Sequence, residues 1–179
     1  MDAAAWLHAV LLRYRVRPEA AAEILAHCDV EVHDWSSTRG GGIMYQTGPH
    51  RWLIVLYTAQ DEAALHEAAH VHYELIQTDD WIARFRGEYF HQADLAHHAR
   101  FKRVRQACHE GVYGDGKGFA GYRTASVSNP WYTTEMYAGL VSLVMGQVDQ
   151  MPPPLRAFYD RPGCIYQPRE MIYMPMMWG

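Results

Sequence analysis

The chain has 179 residues, 49% of them hydrophobic, and a formal net charge of -4. This suits one domain with a sizeable core and excludes a nucleic-acid binder that works through bulk positive charge. Three widely spaced cysteines, Cys28, Cys108 and Cys164, do not read as a disulfide framework and predict a reducing, cytoplasmic compartment.

The first residues show no basic region ahead of an apolar stretch, so no cleaved export signal is expected. The longest apolar run, residues 52–57, is too short to cross a bilayer. Residues 3–14 read as a helix with Trp6, Val10 and Leu11 on one side. Pro18 opens a second, Ala-rich helix to about His27, with proline in the first turn. Val30, Val32 and Trp35 alternate with polar residues, a weak strand signal. Residues 36–42 form a Gly-rich, flexible loop. A hairpin follows: a short strand over 43–46, turn chemistry in Gly48-Pro49-His50, and a second strand over 51–58. The second strand is apolar on both faces and reads as central; the first reads as an edge.

Asp61 is placed to cap a helix running from about Glu62 to Ile76. Residues 80–111 are mostly helical and amphipathic, with Trp81, Ile82, Phe85, Phe90, Leu95, Phe101 and Val104 on the apolar side. Five glycines between 111 and 121 predict a loop. Residues 132–148 form a nearly all-apolar, buried helix, with Pro152-Pro153-Pro154 ending it. The body is assigned to residues 1–150. Residues 151–179, rich in Tyr, Met and Pro, are expected to be an irregular tail packed on it, in which Met171, Met174, Met176, Met177 and Trp178 read as core filler.

Within the third helix stands His66-Glu67-Ala68-Ala69-His70, an H-E-x-x-H pattern. Residues four apart share a helix face, so both imidazoles reach one ion. Glu67 then lies beside the metal, where a carboxylate can take a proton from bound water. A catalytic zinc needs a third protein ligand. Tyr73 and Ile76 occupy the positions where the H-E-x-x-H-x-x-G-x-x-H form needs Gly and His. Glu135 is the candidate instead, because a carboxylate near the start of an apolar helix is costly to bury unless paired or metal-bound. His91, His97, His98, His109 and Asp115 are its rivals, in less apolar settings. Glu74, Asp79 and Asp94 are candidates to orient the metal histidines.

These residues resemble a family. Two N-terminal helices, a Gly-preceded hairpin, Leu53-Ile54-Val55, H-E-A-A-H and a later helix with Glu135 and Ala138 resemble the ImmA/IrrE-type metallopeptidases. More broadly they resemble the gluzincins, where a Glu on a second helix completes the zinc site. The likeness spans roughly residues 1–150; Ala69 replaces that family's usual Gly, and about sixty residues separate His70 from Glu135. Residues 121–130 followed by Glu135 also look like the catalytic domain of anthrax-lethal-factor-type proteases. There a Tyr assists the oxyanion, and Tyr122 would match it; Tyr122 also reads as a packed core aromatic.

The resemblance implies an α+β, zincin-like fold: a small, mostly antiparallel sheet on an active-site helix, with a second helix bearing the third ligand. It implies a Zn2+-dependent metallopeptidase acting on a protein or peptide, with Glu67 as general base and His66, His70 and Glu135 as ligands. The strand at 43–46 could hold an extended peptide by strand addition. The alternative is a catalytically silent zincin scaffold that binds a partner, with nucleic acid disfavoured by the acidic charge. The basic run 97–105 reads first as a solvated helix face, and His91, Asp94 and His98 as a weaker second metal set. Cys164 could mask the zinc from the tail, although a half-buried free thiol is the plainer reading.

Overall fold

The computed structural model describes residues 2–35, 41–94 and 130–168. Helix α1 (Ala3–Arg13) is capped by the Asp2 carboxylate, which accepts from the Ala4 amide at 3.0 Å, and buries Leu7, Val10 and Leu11. Arg15 takes a left-handed turn (φ 62). Helix α2 (Pro18–His27) then starts at its proline and buries Ala20, Ala21 and Ile24.

Strand β1 (Cys28–Val32) leads to β2 (Gly42–Gly48) and β3 (Arg51–Leu56). The sheet order is β1-β3-β2. The apolar strand is central and β2 is an edge, as the patterning predicts. The sheet is mixed rather than mostly antiparallel: β2 pairs antiparallel with β3, but β1 runs parallel to β3, with Val30 opposite Ile54. That pairing follows from where the chain leaves α2, which no local pattern encodes. On one face of β3, Trp52, Ile54 and Leu56 are buried toward the helices; Val55, on the other, is also buried.

Helix α3 (Asp61–Ile76) is central. It packs against α1, α2, β2, β3 and the later helix α5, and is buried from Ala63 to Tyr73 apart from His66. The cap residue is Gln60 rather than Asp61. The Asp61 carboxylate is drawn away to α1, accepting from Arg13 at 2.7 Å and the Tyr14 hydroxyl at 2.8 Å. The small side chains of Ala63, Ala64, Ala68 and Ala69 let neighbouring elements approach this closely.

Helix α4 (Asp79–Asp94) buries Phe85 and Tyr89. Helix α5 (Pro130–Val144) lies on α3. It ends four residues earlier than the sequence suggests, and the prolines are not the cause. Met145 and Gly146 both have positive φ (46 and 79), and a Cβ on Gly146 would lie 2.3 Å from the Tyr14 carbonyl oxygen. Only glycine permits that turn and that approach. The prolines instead begin the short helix α6 (Pro153–Arg156). Beyond it the chain is tied to the α1–α2 turn and to α5: Val16 bridges Tyr166, Arg17 donates to the Tyr166 carbonyl at 2.9 Å, and the Tyr166 hydroxyl donates to the Val141 carbonyl of α5 at 2.9 Å.

Candidate metal centre

Helices α3 and α5 pack against each other. His72 meets Tyr137, His70 meets Thr134, and Ala63 lines a cleft with Ser142. This register brings the His66-His70 face of α3 onto Glu135. The two imidazole Nε2 atoms are 3.1 Å apart. Glu135 Oε2 lies 3.3 Å from His66 Nε2, and Oε1 lies 3.3 Å from His70 Nε2. One ligand atom from each residue falls within 4.8 Å of the others.

These spacings suit a metal. Donors about a tetrahedral zinc at ordinary bond lengths sit about 3.3 Å from one another. The donor set has the right chemistry too: two imidazoles and a carboxylate, with Glu135 and His66 each about a quarter exposed and His70 nearly sealed. Electrostatics point the same way. Burial disfavours charge on His66 and Glu135 alike, but the hydrogen bond between them prevails. The His66 pKa is raised and Glu135 is held well below the usual carboxylate range. Three lone-pair donors thus converge where positive charge is favoured, a donor set of the kind that can hold a divalent cation.

Glu67 is 5% exposed and makes no hydrogen bond with a described residue. Burial raises its pKa, partly offset by His70 and His66. It faces a cleft of about 440 Å³ lined by Gly42, Ile43, Met44, His66, His70 and Glu135. A second hollow of about 380 Å³, with Gln60, Glu62 and Ser142 in its wall, adjoins it across Gly42, His66 and Glu67. Gly42 decides where Glu67 stands. A Cβ there would lie 2.6 Å from Glu67 Cγ, 2.7 Å from Leu56 Cδ2 and 3.1 Å from the Val55 carbonyl oxygen. Edge strand β2 is thus pressed against the stem of the carboxylate. In the sequence this glycine reads as loop flexibility; its partner is visible only with the strand laid on α3.

Of the expected orienting carboxylates, Glu74 and Asp79 make no hydrogen bond to His66 or His70. His70 Nδ1 is bonded instead to Thr134 Oγ1 at 2.7 Å. Glu74 is taken by the Gln77 side-chain amide, Asp79 is exposed in the first turn of α4, and the Asp94 side chain lies outside the described residues. Cys164 contacts the Ala157 carbonyl at 3.9 Å and is not part of the cluster, so its thiol does not mask the site in this arrangement. Tyr122, His97, His98, His109 and Asp115, with the basic run and the methionine-rich end, lie outside the described residues, as does the His91 side chain. Among the described residues no helix is long and apolar enough to cross a membrane.

Comparison with protein-family models, with curated proteins and with solved structures returns no significant match.

Proposed function

We propose that this chain is a zinc-dependent metallopeptidase of gluzincin type, resembling the ImmA/IrrE metallopeptidases. One observation carries the reading: His66, His70 and Glu135 converge with ligand spacing, while the buried carboxylate of Glu67 faces the same cleft. A structural site needs no such base; a hydrolytic one does.

A zinc ion held by these three residues supplies Lewis acidity that polarises a carbonyl and acidifies water. Glu67 then accepts the proton of the attacking water and returns it to the leaving amine nitrogen, so the carboxylate ends as it began. Its buried setting raises its pKa and helps that return. Edge strand β2, with Ile43 and Met44 along the cleft, offers backbone groups for an extended peptide, which favours a protein or peptide over a compact small molecule. In this reading Tyr122 remains a candidate to steady the oxyanion.

Replacing Glu67 with Gln should preserve the metal and lower peptide hydrolysis by roughly 10²- to 10⁴-fold. A zinc-loaded E67Q protein that cleaves as fast as the parent would overturn the proposal.

A further inference from the structure

We infer that Thr134 is a positioning residue of this centre, setting which nitrogen of His70 is presented to the metal. The inference rests on the zinc reading above. The geometry is specific. His70 is held from both ends of its ring: Nε2 faces Glu135 and His66, and Nδ1 meets Thr134 Oγ1 at 2.7 Å inside the core. Thr134 is 3% exposed.

For Nε2 to bind a cation its lone pair must be free, so the ring proton must sit on Nδ1. There it donates to the Thr134 hydroxyl oxygen, and the two conditions select the same tautomer. Among the described residues the hydrogen-bonding and ion-pair partners of His66 meet Nε2. Among the described residues, His70 is the imidazole of the pair that is braced at Nδ1. Thr134 and Glu135 are neighbours on α5, so one turn of that helix supplies both a ligand and the brace for a second ligand. A displacement of α5 would loosen both together. A hydroxyl in place of a carboxylate also keeps the brace uncharged, which leaves the centre with one negative ligand only.

The test compares Thr134→Val, nearly isosteric but unable to accept, with Thr134→Ser, which keeps the oxygen. Thr133→Val is the control, because that buried hydroxyl lies by Tyr73 and hydrogen-bonds none of the three ligands. Zinc affinity is read by competition with a chromophoric chelator, and geometry by the visible spectrum of the cobalt(II) form. T134V should bind zinc roughly 10- to 100-fold more weakly and show an altered cobalt spectrum. T134S should restore both, and T133V should match the parent. If T134V does not fold, Thr134→Ala is read against the same expectations. A T134V or T134A protein with parental zinc affinity and cobalt spectrum overturns the role of Thr134 while leaving the zinc site standing. A parent chain that binds no zinc overturns the zinc reading, and this inference with it.

Discussion

Helices α3 and α5 are joined twice by a histidine and a hydroxyl: His70 to Thr134 at 2.7 Å, and His72 to Tyr137 at 3.0 Å. The pairs are two residues apart on one helix, yet their surroundings differ. Around His70 stand His66, Glu135 and an open cleft. Around His72 the described residues are core. Tyr137 lies against it with rings at 12°, and Tyr159 stacks on Tyr137 at 4.8 Å. Tyr73, Trp81 and Phe85 also crowd Tyr137. Burial pushes the His72 pKa down to about 4. The same chemical pair is a packed, neutral brace in one place and part of a cation-holding cluster in the other. What separates them is the carboxylate of Glu135 and access to the cleft.

The comparison can be sharpened through pH. His72 is neutral in the folded chain, with a pKa near 4 against an ordinary 6.5. Between those values the unfolded chain binds the extra proton. Its contribution to stability is therefore complete above pH 6.5 and is lost as pH falls toward 4, up to about 3 kcal/mol. Denaturant titrations of the metal-free protein at pH 7 and pH 4.5 should show this loss, and His72→Gln should flatten it. An unchanged pH slope in that variant would break the distinction between the two histidines.

A second, somewhat smaller effect lies on the cleft side. Gly42→Ala forces a methyl group against Glu67, Leu56 and the β3 backbone. We expect about 1–3 kcal/mol of destabilisation and a fall in peptide hydrolysis of about tenfold or more as the base is displaced. The zinc ligands are not touched, so metal content should stay parental; loss of zinc in G42A would mean that β2 supports the whole cluster.

The smallest effect tests the core pair directly. Tyr137→Phe keeps the stacked rings and removes the hydroxyl that meets His72. It should cost about 1 kcal/mol in thermal or chemical denaturation and leave zinc affinity unchanged. A change in zinc affinity comparable to that of T134V would show that the two pairs act as one unit.

Much of this layout is legible in the sequence, and the limits have physical causes. Helices α1 and α2, the hairpin and α3 follow from apolar spacing, Pro18 and the Gly48–His50 turn, all local signals. His66, Glu67 and His70 are legible because helical periodicity alone places them together. Glu135 is legible because a carboxylate in an apolar helix needs a partner. Thr134 is not, because its role depends on the register between two helices distant in sequence, and a threonine beside Glu135 carries no mark of it. Gly42 and Gly146 read as flexible positions, whereas each is a close contact with a distant element. The parallel β1–β3 pairing was hidden for the same reason.

The central claim is that His66, His70 and Glu135 form one metal centre. It is tested most directly by the zinc content and affinity of the purified chain beside His66→Ala and Glu135→Ala. The account predicts about one zinc per chain, with affinity falling steeply in both variants, because each removes one of three ligands. Zinc binding that survives both substitutions unchanged, or a parent chain that takes up no zinc at neutral pH, would contradict it.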